Sequence, residues 1–249
     1  MIKEMNFLDH LTELRSRFIK AIMGVVIGFL ICYHFSEQIF NLLMQPLCGA
    51  FENQTCQLVT LGVAEAFFVY LKTGILAGFF ISIPWIFYQV WKFVEPGLLP
   101  REKKLVLPVV FSASLLFVGG ASFGYFVVFP FAFEFFLGVI GEGIAPMPAM
   151  QAYFSFAVQL LFAFGILFEL PLVVIGTVYF GLVQTATLWR TWRYAIVGIF
   201  CVSAILTPAD PFTMLLLGIP LSLMYIGSLF VCQFIERARR VPVDSETQA

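Results

Sequence analysis

Charge is what this sequence lacks. Only 12% of its 249 residues are Asp, Glu, Lys or Arg, whereas an average soluble domain carries about 25%. With 61% of the chain hydrophobic, there is more apolar surface than a water-soluble globule of this length can bury, and a soluble fold is excluded. The formal net charge is −1, so no global field attracts nucleic acid and any electrostatic recognition is local. Histidine is scarce: only His10 and His34 are present, neither in mid-span, which argues against haem ligation. The sequence holds no GxxxxGK[ST] and no HExxH, which removes P-loop nucleotide hydrolysis and zincin chemistry. Residues Gly120-Ala-Ser-Phe-Gly124 spell a nucleophile elbow. That motif needs a strand-turn-helix and a nearby histidine, and Ser122 has neither, so it reads as packing material. The five cysteines show no metal-binding spacing. The residues predict no enzyme, no cofactor and no metal.

What is present is a series of long apolar runs, rich in Phe (31) and Gly (19), with a mean hydropathy of +0.96. Read in windows of about 19 residues, they predict an all-α, polytopic membrane protein with six spans, at residues 18–35, 66–91, 105–133, 153–180, 194–206 and 212–234. Helices are expected because a helix satisfies its own backbone in lipid, and the alternation of barrel strands is missing. The fifth span is short for a hydrocarbon core of about 30 Å. All but Lys72 of the 14 Lys and Arg fall before or just inside span one, between spans two and three, between spans four and five, or after span six. By the positive-inside rule both termini are cytoplasmic. Residues 1–240 read as one membrane domain, and 241–249 as a polar, disordered tail. Residues 1–17 are polar and the apolar run after them lacks a cleavage pattern, so no cleavable leader is expected. Pro84, Pro108, Pro130, Pro171 and Pro220 predict kinked spans and a bent bundle. The pairs Gly24/Gly28, Gly74/Gly78 and Gly120/Gly124 predict close helix approach, within the bundle rather than at an oligomer face.

A few polar residues need explaining. Cys48 and Cys56 share the first exterior loop, placed at residues 42–65, either as a disulfide or as two free thiols. Glu169 lies within span four, two residues before Pro171. A carboxylate there costs about 2.5–3.5 kcal/mol on insertion scales, so it is expected to face a bundle interior or a wet concavity. It serves there either as a structural hydrogen-bonding group or as a polar contact for something entering the membrane, with the second favoured. Lys72 near the outer end of span two is expected to snorkel. Residues 7–18 read as an amphipathic helix that stacks Asp9, Glu13 and Arg17 four apart. In the loop after span two, Glu95 and Glu102 sit among Lys and Arg. Glu102 after Pro100 suits the first turn of span three as a dipole-opposing cap, and both acids would also suit an arginine-bearing partner.

Several motifs together resemble the TatC family, the membrane core of the twin-arginine protein translocase. His10-Leu-Thr-Glu-Leu-Arg-Ser-Arg17 is similar to its HLxELRxR signature, and Phe93-Val-Glu-Pro-Gly-Leu-Leu-Pro-Arg-Glu102 fits FxxP[AG]LxxxE. Gln45-Pro46-Leu47, Ser82–Trp91, Tyr125–Pro130 and Ala163–Pro171 follow in the family's order. Leu99 and Pro100 depart from its usual pattern. The resemblance implies a receptor for twin-arginine signal peptides of folded cargo, in a bacterial inner membrane. It implies TatA-type and TatB-type single-span partners, self-association in a larger complex, and transport driven by the proton gradient. By motif, Glu13, Arg15 and Glu102 fall on the signal-recognition surface, with Phe93, Glu95 and Pro96 shaping the same loop. Glu169 falls at the family's intramembrane glutamate facing a concave pocket, Pro46 in the exterior cap and Asp210 in the last exterior turn.

The rival class is a proton-coupled transporter of a small solute with Glu169 as proton carrier. Against it, the spans show no repeated half, and Glu169 has no evident cationic partner in the sequence.

Overall fold

The computed structural model describes residues 7–51, 56–95, 103–140, 146–206 and 211–240. Pro96, Glu102, Asp210 and the tail 241–249 lie outside the described residues. Among those described, every regular element is helical, apart from one isolated parallel bridge between Val59 and Ala149. The helices are α1 (Phe7–Tyr33), α2 (Ser36–Gly49), α3 (Glu65–Val94), α4 (Val106–Phe123), α5 (Phe129–Gly138), α6 (Met150–Leu167), α7 (Leu170–Tyr179), α8 (Thr185–Leu206) and α9 (Pro211–Arg240). Five stretches are long and apolar enough to cross a membrane: His10–Tyr33, Glu65–Val94, Val106–Gly138, Met150–Tyr179 and Pro211–Arg237. Their flanks carry large exposed apolar side chains, among them Phe111 at 70% and Phe234 at 75% exposure, which only lipid tolerates along a whole helix face. Helix α8 is not among the five, because Arg190 and Arg193 occupy its first half.

The chain packs as two compact units, Met1–Leu161 and Phe162–Ala249. In the first, α1 lies antiparallel against α3, and glycine sets how close they come. A Cβ on Gly78 would fall 2.3 Å from the backbone N of Phe29, and one on Gly28 would fall 2.6 Å from the Gly78 carbonyl oxygen. Two of the predicted small-residue pairs therefore meet each other within the unit, as in close-packed membrane helices. Ser82 Oγ donates to the Gly24 carbonyl and Trp85 Nε1 to the Lys20 carbonyl, both at 2.9 Å.

The expected third span is one apolar run, but a π-helical turn at Gly124–Val128 separates α4 from α5, with the Phe129 N–H reaching back to the Gly124 carbonyl. The wide turn sits where Pro130, which has no N–H, cannot continue an α-helical ladder. Around it, Phe129, Phe133, Tyr153 and Phe156 form an aromatic cluster with ring centroids 5.6–6.3 Å apart.

Part of the segment read as an exterior loop is helix α2, with Pro46 inside it. Ser36, Phe40, Leu43 and Leu47 are buried on one face, a helical spacing too short to register as a hydropathy run. Proline leaves the carbonyl four residues earlier without its helical donor. That carbonyl is Leu42, and the Tyr125 hydroxyl donates to it. The Tyr153 hydroxyl donates to the neighbouring Leu43 carbonyl.

In the second unit α9 packs against both α7 and α8. A Cβ on Gly218 would meet the Phe200 ring at 2.4 Å. Helix α7 ends with Gly181 at φ +71°. There the Leu182 N–H bonds the Thr177 carbonyl at 2.9 Å and the Gly181 N–H bonds Val178 at 3.0 Å, a Schellman ending that glycine makes without strain. The predicted fourth span is two helices, broken at Phe168–Glu169 just ahead of Pro171. Glu236 near the end of α9 accepts the Thr185 N–H at 3.1 Å, placing an acid at the start of α8.

Candidate functional site

Because α1 and α3 are antiparallel, the first turns of α1 and the last turn of α3 share one rim. Two sequence motifs meet there directly: the His10 ring stacks on Phe93, centroids 4.3 Å apart and planes 23° from parallel. Glu13 and Arg17, one helical turn apart, pair at 3.1 Å through a single guanidinium nitrogen. Glu95 holds Lys92 at 2.7 Å on one carboxylate oxygen and Lys103 at 3.9 Å on the other. The hydrogen bond from Lys92 is the chief reason the Glu95 carboxyl sits below the ordinary carboxylate range. The charges of Lys92, Lys103 and Arg17 add to it, against an opposing contribution from burial. Arg17 thus links the two motifs electrostatically as well as spatially. Arg15 is exposed and makes no ion pair among the described residues.

The rim therefore gathers Glu13, Arg15, Phe93 and Glu95 of the predicted set. It also shows what the sequence reading missed: both described acids already hold intrachain cations. The Glu13/Arg17 spacing was legible, and the Lys92/Glu95 spacing of three carried the same signal unread. Gln89, one turn before Phe93, was also missed. It is 2% exposed, and its Oε1 has no hydrogen-bond partner among the described residues.

The opposite end of the first unit is built differently. Cys48 and Cys56 are joined by a disulfide, Cα atoms 5.3 Å apart. Glu65 accepts backbone N–H groups from Gly62 at 3.2 Å and Gln151 at 2.8 Å, and also from Leu61. Lys72, expected to snorkel, donates to Gln151 Oε1 at 3.4 Å, because the start of α6 lies within reach of its stem. A cavity of about 390 Å³ opens beside α2, lined by Cys32, Leu43, Leu76, Phe80, Ala121 and Tyr125 among others, and Glu169 is not in its lining. Glu169 belongs to the second unit, half-buried at the start of α7. Its N–H bonds the Ile166 carbonyl at 3.1 Å and its carbonyl accepts from Val173 at 3.0 Å. No cluster of metal-ligating side chains occurs among the described residues.

Five membrane-length apolar stretches, a kinked helical scaffold and a charged rim at one end define a multi-spanning helical membrane protein. Residues 9–220 match the family model for the Sec-independent protein translocase protein TatC. A TatC of Desulforapulum autotrophicum is 44% identical over 88% of this chain and 81% of its own length. That of Escherichia coli K12 is 36% identical over 91% of this chain and 88% of its own. The crystal structure of the twin arginine translocase receptor TatC superposes with a TM-score of 0.79 at 36% identity, covering 92% of this chain and all of that one. The chain belongs to the TatC family, and its relatives are components of a protein translocase. The small-solute transporter reading is not favoured.

Proposed function

We propose that this chain is the receptor and core subunit of a twin-arginine translocation system. It binds the twin-arginine signal peptides of folded proteins, organises TatA-type and TatB-type single-span partners, self-associates in a larger complex, and works on the proton gradient with no enzymatic step of its own. In this reading six helices cross a bacterial inner membrane with both termini cytoplasmic, the short fifth crossing being the apolar second part of α8, residues 194–206. The rim of α1 and α3 then faces the cytoplasm.

The observation that carries this is the stack of His10 on Phe93, which draws the acids of two separate motifs to one rim. A carboxylate there pairs with a planar guanidinium through two parallel hydrogen bonds, which a lysine ammonium cannot match. Glu13, Arg15, Glu95 and Glu102 form the recognition surface, with Phe93 and Pro96 shaping it. Glu169 offers a polar contact deeper in the membrane, Pro46 belongs to the outer cap, and Asp210 to the last outer turn. We expect Glu13→Ala and Glu102→Ala each to abolish export of twin-arginine cargo at normal protein level, measured by cargo fractionation. Normal export in both variants refutes the assignment. A photoreactive group at position 102 should capture a signal peptide; a solute transporter would yield no peptide adduct.

A further inference from the structure

The charges at the rim run against a simple anionic receptor. Two described acids, Glu13 and Glu95, face three cations, Arg17, Lys92 and Lys103, at 2.7–3.9 Å. A cationic tag that engages Glu13 or Glu95 therefore meets a carboxylate already occupied, and takes it by displacing the chain's own charge. These pairs are partly exposed, with side chains 22–43% accessible, and such pairs are individually weak and exchangeable.

Resting on the receptor reading above, we propose that Arg17 and Lys92 are internal competitors that set the affinity threshold of the signal-binding rim. Glu13 and Glu95 are binding-competent only in the fraction of molecules whose intrachain pairs are open, so every tag loses affinity by that fraction. The handicap is the same for all tags, but its consequence is not. A paired-guanidinium tag gains bidentate bonds to a carboxylate and clears the threshold. An ammonium tag reproduces only the point contact that Lys92 already makes at 2.7 Å, and falls below it. The competitors thus set how tightly a tag must bind, while the discrimination between tags comes from the bidentate bonds.

The test measures binding of two synthetic signal peptides, one with paired arginines and one with those arginines replaced by lysines, to the detergent-solubilised full chain. Wild type is compared with Arg17→Gln, Lys92→Gln and the control Lys104→Gln, an exposed cation in no ion pair among the described residues. We expect both peptides to bind about two- to fivefold tighter to Arg17→Gln and to Lys92→Gln, by the same factor for each peptide. Lys104→Gln should change little, and the gain should shrink as salt rises. Unchanged or weaker binding in both test variants overturns the proposal, as does an equal gain in Lys104→Gln, which would show general charge repulsion alone. If wild type selects arginine over lysine but the variants gain nothing, only the competitor proposal fails. If wild type does not discriminate, the receptor reading fails with it.

Discussion

The two ends of the first unit are held together by opposite means. At one end, α2 is tied by a disulfide and by two tyrosine hydroxyls on its backbone carbonyls, and Glu65 gathers backbone N–H groups from the turn before α3 and the start of α6. At the other, a ring stack joins α1 to α3, and the partly exposed ion pairs run along each helix rather than between them. Covalent links and hydrogen bonds to backbone are expensive to leave unmade, whereas exposed ion pairs contribute about 0–1 kcal/mol. The first end is therefore fixed and the second exchangeable. If the rim binds a charged peptide as proposed, contacts that swap partners suit it better than contacts that lock.

If that contrast holds, damage to the capped end should register as lost stability, and the largest effect should come from the disulfide. Closing so short a loop is worth about 2–3 kcal/mol in the chain-entropy model. We expect Cys48→Ser with Cys56→Ser to lower the melting temperature in detergent markedly, and a reductant to do the same to wild type but not to the variant. Equal melting of the two proteins would place the rigidity of the cap elsewhere.

The tyrosines come next. Tyr125 serves a carbonyl that Pro46 has deprived of its helical donor, so Tyr125→Phe should cost about 1 kcal/mol, the net worth of one such hydrogen bond. Leu43, the acceptor for Tyr153, has Leu47 four residues on to supply a helical N–H, so Tyr153→Phe should cost less. Replacing Pro46 by Ala restores a donor to Leu42, and a double-mutant cycle should show the Tyr125→Phe penalty shrinking in that background. Strict additivity would break the link between proline and tyrosine.

Legibility in the sequence followed the same division. Long apolar runs announced the membrane helices and the glycine pairs announced close helix approach, because both depend on local composition; that the pairs of α1 and α3 meet each other needed the fold. The break at Glu169 was signalled by Pro171. Helix α2 was not legible, since its buried face is four residues at helical spacing inside a polar stretch, and the partners that stabilise it, Tyr125 and Tyr153, are far away in sequence. Whether Cys48 and Cys56 bond was equally unreadable, because a spacing says nothing of how the intervening chain turns. At the basic end the motifs named the residues, but their pairing needed the fold: Lys103 lies eight residues from Glu95, and its approach to 3.9 Å is not a helical spacing. Gln89 hid as one amide in an apolar span.

The smallest effect sharpens the contrast from the other side. Glu95 has its carboxyl pKa depressed in the folded chain, first by the Lys92 hydrogen bond and then by the neighbouring cations. A depressed folded value means that the pair stabilises fully above the unfolded carboxylate value, about 4.3. That contribution is lost as pH falls through the lower folded value. Thermal melts of wild type against Lys92→Gln should therefore differ by a small, constant amount from neutral pH down to about pH 5. The gap should close below about pH 4 and narrow in high salt at neutral pH. A gap that widened on acidification would mean that Glu95 is stabilised as the neutral acid. The basic end would then be a locked contact like the capped one, and the distinction between a fixed end and an exchangeable end would be lost.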